Sequence, residues 1–582
     1  MKVYKLTQLL FVLLICLTSC QKLDLKSFAP ENGTISFEKN NLEVSSQLDT
    51  IEIAVQSNLP FRLKTASSWI SFIKANSLES GTVQIIVARN RELSERTGMV
   101  EAYITDDVKT SLTIVQKAGE VSTEVKHFYV KSSASSNSDG LSWEKATTLD
   151  MALKDAQNGD VIHVAAGVYK PVVNLSGGSQ AGDITFEIAQ NVKLIGGYPA
   201  QATTGAAANA NNKTELNGDD RATHVLTIVA PKSNGHKVEL DGFTITKGKA
   251  GGTGSVAVNG INISRQHGAG ILIAGSVVEM KNMKVTDNSS FNHNPGIYIT
   301  AAADVLMKNV SITNNYSTIA ASNGGGIWND GSKLQLIDSE ILGNRTGGVG
   351  AGLYSLNSSV ESVNILYNVT IANNVAGALG SNAVGGGIYA REKSLFYVIN
   401  STIYGNKAGG NGFGGGIALY GGTQMNLINS TVSGNQGGMN NAAVGGFAVQ
   451  NASAGNNSLF IYNSIISGNI STGSLELGGQ AFASYSIKSS ILSTQVYDYD
   501  GKVSTKAFDP TTAFSTFGKN GGYGETIPLK GSSPATTDGM TALQLQILGI
   551  NLPAIKPDYL ILDQNNLSRN NKTVMGADIS IK

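Results

Sequence analysis

Apolar residues along this chain alternate with polar ones over short runs, and the phase of the alternation changes at recurring places. In Thr50-Ile51-Glu52-Ile53-Ala54-Val55, Thr82-Val83-Gln84-Ile85-Ile86-Val87 and Leu112-Thr113-Ile114-Val115 the apolar residues recur at every second position, as half-buried strands require. Turn signals at Ser57-Asn58, Asn76-Ser77 and Thr105-Asp106-Asp107 divide these runs and predict a small β-sandwich over residues 30–120. Farther along, Met425, Leu427 and Asn429 share one face of a strand, but the next apolar residue, Val432, has the opposite parity. The same break follows Val305, Met307 and Asn309 at Ile312, and Leu334, Leu336 and Asp338 at Ile341. It recurs after Phe396, Val398 and Asn400 at Ile403. One strand must end and another begin at the Asn or Asp, whose short side chains tolerate left-handed backbone.

These units repeat. Closing asparagines at 288, 315, 344, 374, 406, 435 and 469 recur every 27 to 34 residues. Glycine clusters such as Gly324-Gly325-Gly326-Ile327 and Gly385-Gly386-Gly387-Ile388 precede them and supply the other corner. Short strands between fixed corners at this period predict a parallel β-helix over residues 125–582, its coils stacked about 4.8 Å apart. Helical and leucine-rich repeats are excluded, because the repeats have no 3.6-residue periodicity. Upstream, Leu149, Ala152, Leu153 and Ala156 are spaced for one helical face, which predicts a short helix capping the N-terminal end of the solenoid. The fold class is therefore all-β.

Charge narrows the function. The chain has 43 Lys+Arg and 43 Asp+Glu, so it lacks the basic footprint of a nucleic-acid binder and no nucleic-acid partner is expected. Its two cysteines are Cys16 and Cys20, which leaves the body without disulfides, Cys-based zinc sites or thiol nucleophiles. Lys2 and Lys5 precede an apolar run, Leu6 to Leu17, that is too short to span a bilayer and reads as a signal-peptide core. It ends in Leu17-Thr18-Ser19-Cys20, which resembles a bacterial lipobox. That resemblance implies removal of residues 1–19, acylation of Cys20, a linker over 20–29 and a membrane partner held through the N-terminal lipid. The implied location is the outer membrane, facing either the cell surface or the periplasm.

Two further resemblances carry domain identity. Ser68-Trp69-Ile70, Asn90, Arg96-Thr97-Gly98-Met99-Val100 and Val115-Gln116-Lys117-Ala118-Gly119 occur in an order that resembles the BACON domain. This is an immunoglobulin-like module of Bacteroidetes surface proteins, proposed to bind carbohydrate or mucin. The string from Phe128-Tyr129-Val130 through Trp143 to Val168-Tyr169 resembles the start of secreted bacterial right-handed β-helix proteins with pectate-lyase-like folds. Leu194-Ile195-Gly196-Gly197-Tyr198 and Leu240-Asp241-Gly242-Phe243 agree with it, as do Gly531-Ser532-Ser533-Pro534-Ala535 and Met575-Gly576-Ala577-Asp578. The repeats are also similar to those of chlamydial polymorphic outer-membrane proteins, which are adhesins. A β-helix hosts lyases, hydrolases, adhesins and stalks alike, so these resemblances imply a fold before a function.

Catalytic inventory is thin. β-Helix lyases need a Lys or Arg base and a cation for the substrate carboxylate, and hydrolases need carboxylates facing one groove. Between Gly296 and Gly479 the acids are only Asp304, Asp330, Asp338, Glu340, Glu361, Glu392 and Glu476, and all six histidines lie at or before His293. No catalytic residue is assigned. Asp219, Asp220, Asp241, His267 and Asp287 are candidates for a ligand or cation site, Ca²⁺ being the candidate ion; read structurally, they are corner residues and solvated charges. Trp69 is the candidate platform for sugar stacking, or else a core residue beside Phe61 and Phe72. The expectation is a lipid-anchored envelope protein that binds host or dietary glycans, mucin or polysaccharide, or acts in adhesion, without cleaving them. The alternative is a polysaccharide lyase or glycoside hydrolase.

Overall fold

The computed structural model describes residues 32–582, apart from short stretches of which the longest are 119–123, 233–236, 378–382, 439–443, 451–454 and 550–559. The signal segment and Cys20 lie outside the described residues. The contacts divide the chain into two units, residues 1–124 and 125–582.

In the first unit, the alternating runs pair into two sheets. One is ordered Ile35–Phe37, Asp49–Ser57, Gly81–Val87, Ile70–Phe72; the other is Asn41–Val44, Lys109–Gln116, Arg96–Tyr103, Phe61–Thr65, Asn76–Ser77. Val55, Ile85 and Val87 from one sheet meet Val100, Ala102, Leu112 and Ile114 from the other in a closed apolar core. Two groups of polar contacts lie at its edge. Arg96 donates through Nη2 to the Ala88 carbonyl at 2.6 Å and through Nε to Gln116 Oε1 at 2.8 Å. Asn90 is fully buried and its amide donates to the Ser94 and Lys117 carbonyls.

The second unit is a right-handed parallel β-helix. The coil from Gly324 shows how the local sequence makes it. Ile327–Asp330 is a short strand, Gly331 turns the chain, and Lys333–Leu342 is a longer strand bent in its middle at Asp338, where φ is 46°. Every bend read from the parity shift has a left-handed residue: Asn282, Asn309, Asp338, Asn368, Asn400, Asn429 and Asn463 all have φ between 46° and 56°. The bend returns the opposite parity to the interior. Aliphatic columns then stack in register through the coils: Ile271, Ile297, Ile327, Leu353, Ile388 and Ile417 in one sheet, and Val285, Ile312, Ile341, Ile371, Ile403 and Val432 in another.

After the bend, the closing asparagines from Asn288 to Asn435 are fully buried and Asn469 is half-buried. From Asn288 to Asn469, each of these side-chain amides donates to the Oδ1 of the next at 2.8 to 3.0 Å. That same Oδ1 accepts the previous coil's backbone N–H, so one row of side chains satisfies the corner that glycines and bends leave open. The third glycine of each cluster lies against this row: a Cβ on Gly326 would meet the Gly352 carbonyl oxygen at 2.7 Å and Asn344 Nδ2 at 3.1 Å.

The first coils and one stretch of the outward face are covered by elements of other kinds. The helix Leu149–Asp155, capped by the Thr148 hydroxyl, buries Leu149 and Ala152 against the first coils. The described residues from Phe508 onward fold over the outward face of later coils. Met540, Leu545 and Leu560 cover Ile365, Tyr367, Tyr397, Ile399 and Ile428. Thr402 donates to Gln564, whose amide donates to Thr370, and Asn400 donates to the Leu562 carbonyl.

Candidate functional site

The outward face of the longest sheet changes chemical character along the solenoid. Tyr129, His163, Ile195, Asp241, Lys281, Lys308, Ile337, Tyr367, Ile399 and Ile428 are successive cross-coil partners in one outward row. The last four belong to the apolar stretch covered by the C-terminal segment, whereas the row ahead of them carries rings and charges.

At Asp241 this face opens into a cavity of about 460 Å³. Its geometry starts at Gly196-Gly197. Gly197 has φ of 84°, and its N–H donates to the Thr214 hydroxyl at 2.8 Å, so the chain leaves the coil after Tyr198 and rejoins it at Thr214. Residues 199–213 form the resulting excursion, and Ala208 to Lys213 wall the cavity. The floor is the bend itself. Asn282 donates to Asp241 Oδ1 at 2.7 Å and Asn309 donates to Asn282 Oδ1 at 2.5 Å, an acid–amide–amide row along the solenoid axis. Lys213 and Lys284 line the same cavity, and neither ammonium has an ion-pair partner among the described residues. A polar floor that both donates and accepts, flanked by two unpaired cations, suits a hydroxyl-rich or anionic ligand.

The five candidates for a ligand or cation do not form one cluster. Asp241 lines the cavity. Asp219 and Asp220 are consecutive left-handed corner residues, and Asp219 pairs with Lys170 at 2.5 Å and Arg221 at 3.1 Å. The hydrogen bond from Lys170 holds the Asp219 carboxyl below its ordinary value, with the Arg221 charge acting in the same direction. Asp287 is another left-handed corner residue and accepts from the Thr286 hydroxyl. His267 is half-buried among rings: His293 at 5.3 Å, Tyr298 at 4.8 Å and Trp328 at 4.8 Å. Burial, followed by the neighbouring His293 and His224, pushes its pKa down to about 3, so it is a neutral imidazole. Among the described residues, no three His, Cys, Asp or Glu side chains are grouped as a metal ion would need.

Trp69 sits at the edge of the sandwich core, half-buried, with the Arg96 guanidinium 4.4 Å from its ring centre. One face of the indole is thus occupied by a cation. Lys213 and Lys284 escaped the sequence reading. The signal for Lys284 lay in the repeat: two residues past the bend the cross-coil partners Lys284, Ser311, Glu340, Thr370, Thr402 and Thr431 include one cation. Lys213 had no such signal, because it lies at the end of an irregular excursion.

Comparison with known proteins speaks to the fold. Residues 249–409 match a family model described as a right-handed beta helix region. The crystal structure of pectate lyase Pel9A is 14% identical, with 77% of this chain and 97% of that one aligned at a TM-score of 0.39. A Bacteroides ovatus GH5 xyloglucanase, solved with a XXXG heptasaccharide, is 15% identical over 29% of this chain at a TM-score of 0.15; the chain spans 37% of that enzyme's length. An NMR structure of a protein from Bacteroides thetaiotaomicron is 15% identical over 16% of this chain and 93% of its own, at a TM-score of 0.13. No curated protein matches the chain. With the family match inside it and the same sheets running on to either side, the unit from Val125 to Lys582 is built on a right-handed parallel β-helix.

Proposed function

We propose that this chain is a lipid-anchored protein of the bacterial outer membrane, facing the cell surface or the periplasm, that binds polysaccharide without cleaving it. The observation that carries the reading is the cavity at Asp241, with its acid–amide–amide floor and two unpaired lysines. Sugar hydroxyls both donate and accept, and a row of alternating acceptors and donors along the solenoid axis offers them partners in sequence. The cavity's single carboxylate already accepts from Asn282, whereas hydrolysis of a glycosidic bond calls for a pair. Anchoring rests on the lipobox-like Leu17-Thr18-Ser19-Cys20, and the BACON-like unit that follows is consistent with a glycan-facing protein. The partners are then the membrane, through the lipid on Cys20, and host or dietary glycans.

A second reading has one observation in its favour. Lys284 and Lys213 are the residue types a polysaccharide lyase uses to remove a proton and to neutralise a substrate carboxylate. The experiment that separates the two is a glycan array combined with product detection, on the chain starting after Cys20, across mucin O-glycans, glycosaminoglycans and plant polysaccharides. Binding that weakens in Lys213→Ala and Lys284→Ala, with no new chain ends, supports the binding protein. New unsaturated ends abolished in Lys284→Ala establish the lyase, and absence of any glycan ligand overturns both.

A further inference from the structure

We infer that a cup of aromatic rings on the first coils is a second sugar subsite, one that takes an uncharged pyranose from the same glycan chain that enters the Asp241 cavity. The inference rests on the carbohydrate reading above and specifies which sugar chemistry that reading involves. Tyr129 and His163, cross-coil partners in the outward row, stack at 5.0 Å with 17° between their planes. Trp143 stands 4.9 Å from Tyr129 and 5.2 Å from Tyr198, tilted by 59° and 54°, and Tyr198 meets His163 edge-on at 5.2 Å. With Ser142 and Thr204 at the rim, these rings line a pocket of about 280 Å³.

The lining residues carry rings and hydroxyls but no formal charge: Trp143 is buried beneath the half-buried Tyr129, His163 and Tyr198, and the Lys131 ammonium lies 5.8 Å from the Trp143 ring centre. His163 is tied at both nitrogens, to His127 Nδ1 and to the Tyr198 hydroxyl, each at 2.8 Å. Burial, reinforced by His127 and Lys193, lowers its pKa to about 4, so it carries no charge near neutrality. A pyranose with equatorial substituents has an apolar C–H face and a hydroxyl edge, the two surfaces this cup offers partners for. The volume lies just under the roughly 300 Å³ at which drug-sized pockets begin, so it suits one sugar ring rather than an oligomer.

The cup and the cavity share a wall. Tyr198 and Thr204 to Ala206 line the cup, and Gly197 and Ala208 to Thr214 line the cavity, so the 199–213 excursion stands between them. His163, Ile195 and Asp241 are successive partners across coils, which places the two pockets about 10 Å apart along the axis at the usual strand spacing. A glycan chain of a few sugars spans that distance. The two pockets then read different chemistry: the cup an uncharged ring, the lysine-flanked cavity a polar or anionic one.

The test is calorimetric titration of the chain starting after Cys20 with cellohexaose, xylohexaose and mannohexaose, together with the best array ligand. At least one neutral hexasaccharide should bind, and Tyr198→Ala should weaken it about tenfold, the worth of one aromatic contact. Tyr198→Phe should keep most of the affinity. Thr204→Trp, which fills the cup from its exposed rim, should block binding without disturbing the rings beneath it. If glycans bind but Tyr198→Ala and Thr204→Trp change nothing, the cup is overturned and the carbohydrate reading stands. If no glycan on the array binds, both fall.

Discussion

The side-chain amide of Asn469 donates to the Glu476 carboxylate at 2.6 Å, and the same carboxylate accepts the Asn469 backbone N–H at 3.0 Å. The buried asparagine row thus ends on an acid rather than on another asparagine. Burial raises the Glu476 carboxyl above its ordinary value, against the opposing pull of the Asn469 bonds. Glu476→Ala strips two part-buried donors of Asn469 of their acceptor and should cost about 1 to 2 kcal/mol. Because coils contact mainly their neighbours, the loss should appear as faster amide exchange confined to the last coils, around Val432 to Leu492. Uniform loss of protection across the solenoid would contradict it.

Mid-row, the cost should be larger. Asn344 is fully buried, donates to Asn374 and to the Ile312 carbonyl, and accepts from Asn315. Asn344→Ala should destabilise the protein by about 3 kcal/mol, read by urea denaturation, since it orphans groups in two neighbouring coils.

Two glycines offer a matched contrast. A Cβ at Gly326 meets backbone of the next coil at 2.7 Å, whereas one at Gly81 meets nothing within 4 Å. Gly326→Ala must push two coils apart and should cost about 2 kcal/mol or more, with a lower Tm. Gly81→Ala should stay within about 0.5 kcal/mol of the parent.

The histidine cluster predicts acid sensitivity. Burial lowers His267 to about 3 and His224 to about 4, and lowers His293 as well, so the native state holds them neutral. The unfolded chain takes up the His267 and His224 protons near pH 6.5, the native state only near 3 to 4, and His293 shifts in the same direction. Stability is therefore retained above pH 6.5 and lost as pH falls from there toward 3 to 4. His267→Phe keeps a ring against Trp328 and should flatten part of the decline in Tm between pH 7 and pH 4. An unchanged slope would remove His267 from the account.

The C-terminal segment should be needed for solubility. Gln564 is fully buried and bridges Thr370 and Thr402, and its neighbours help cover Tyr397, Ile399 and Ile428. Gln564→Ala should cost about 2 kcal/mol and increase binding of a hydrophobic dye to the native protein. Dye binding at the parent level would mean that the segment holds by apolar contact alone.

The sandwich strands, the solenoid, its period and its corners were legible in the residues, because each is a local matter. Parity within a strand says which side chains point inward, and Asn, Asp and Gly mark where the backbone turns left-handed, as Asn309 and Gly324 do. Stacking in register then follows from the repeat: identical coils bury identical columns, and Asn344 lands on Asn374 because the period places it there. The candidate site was less legible. Asp241 was recognisable as a charge on an early coil, but nothing local showed that Asn282 would hold it or that Lys213 would return from an irregular excursion to face Lys284.

By itself, then, the sequence determined what repeats: strand, bend, buried asparagine and glycine corner, all set by backbone preference and burial within one coil. Only the tertiary structure decided what does not repeat. The excursion at 199–213 separates an uncharged ring cup from a lysine-flanked cavity, and the C-terminal segment covers one stretch of the outward face while another stays open. Those placements depend on contacts between residues far apart in the chain, whose partners no local pattern names.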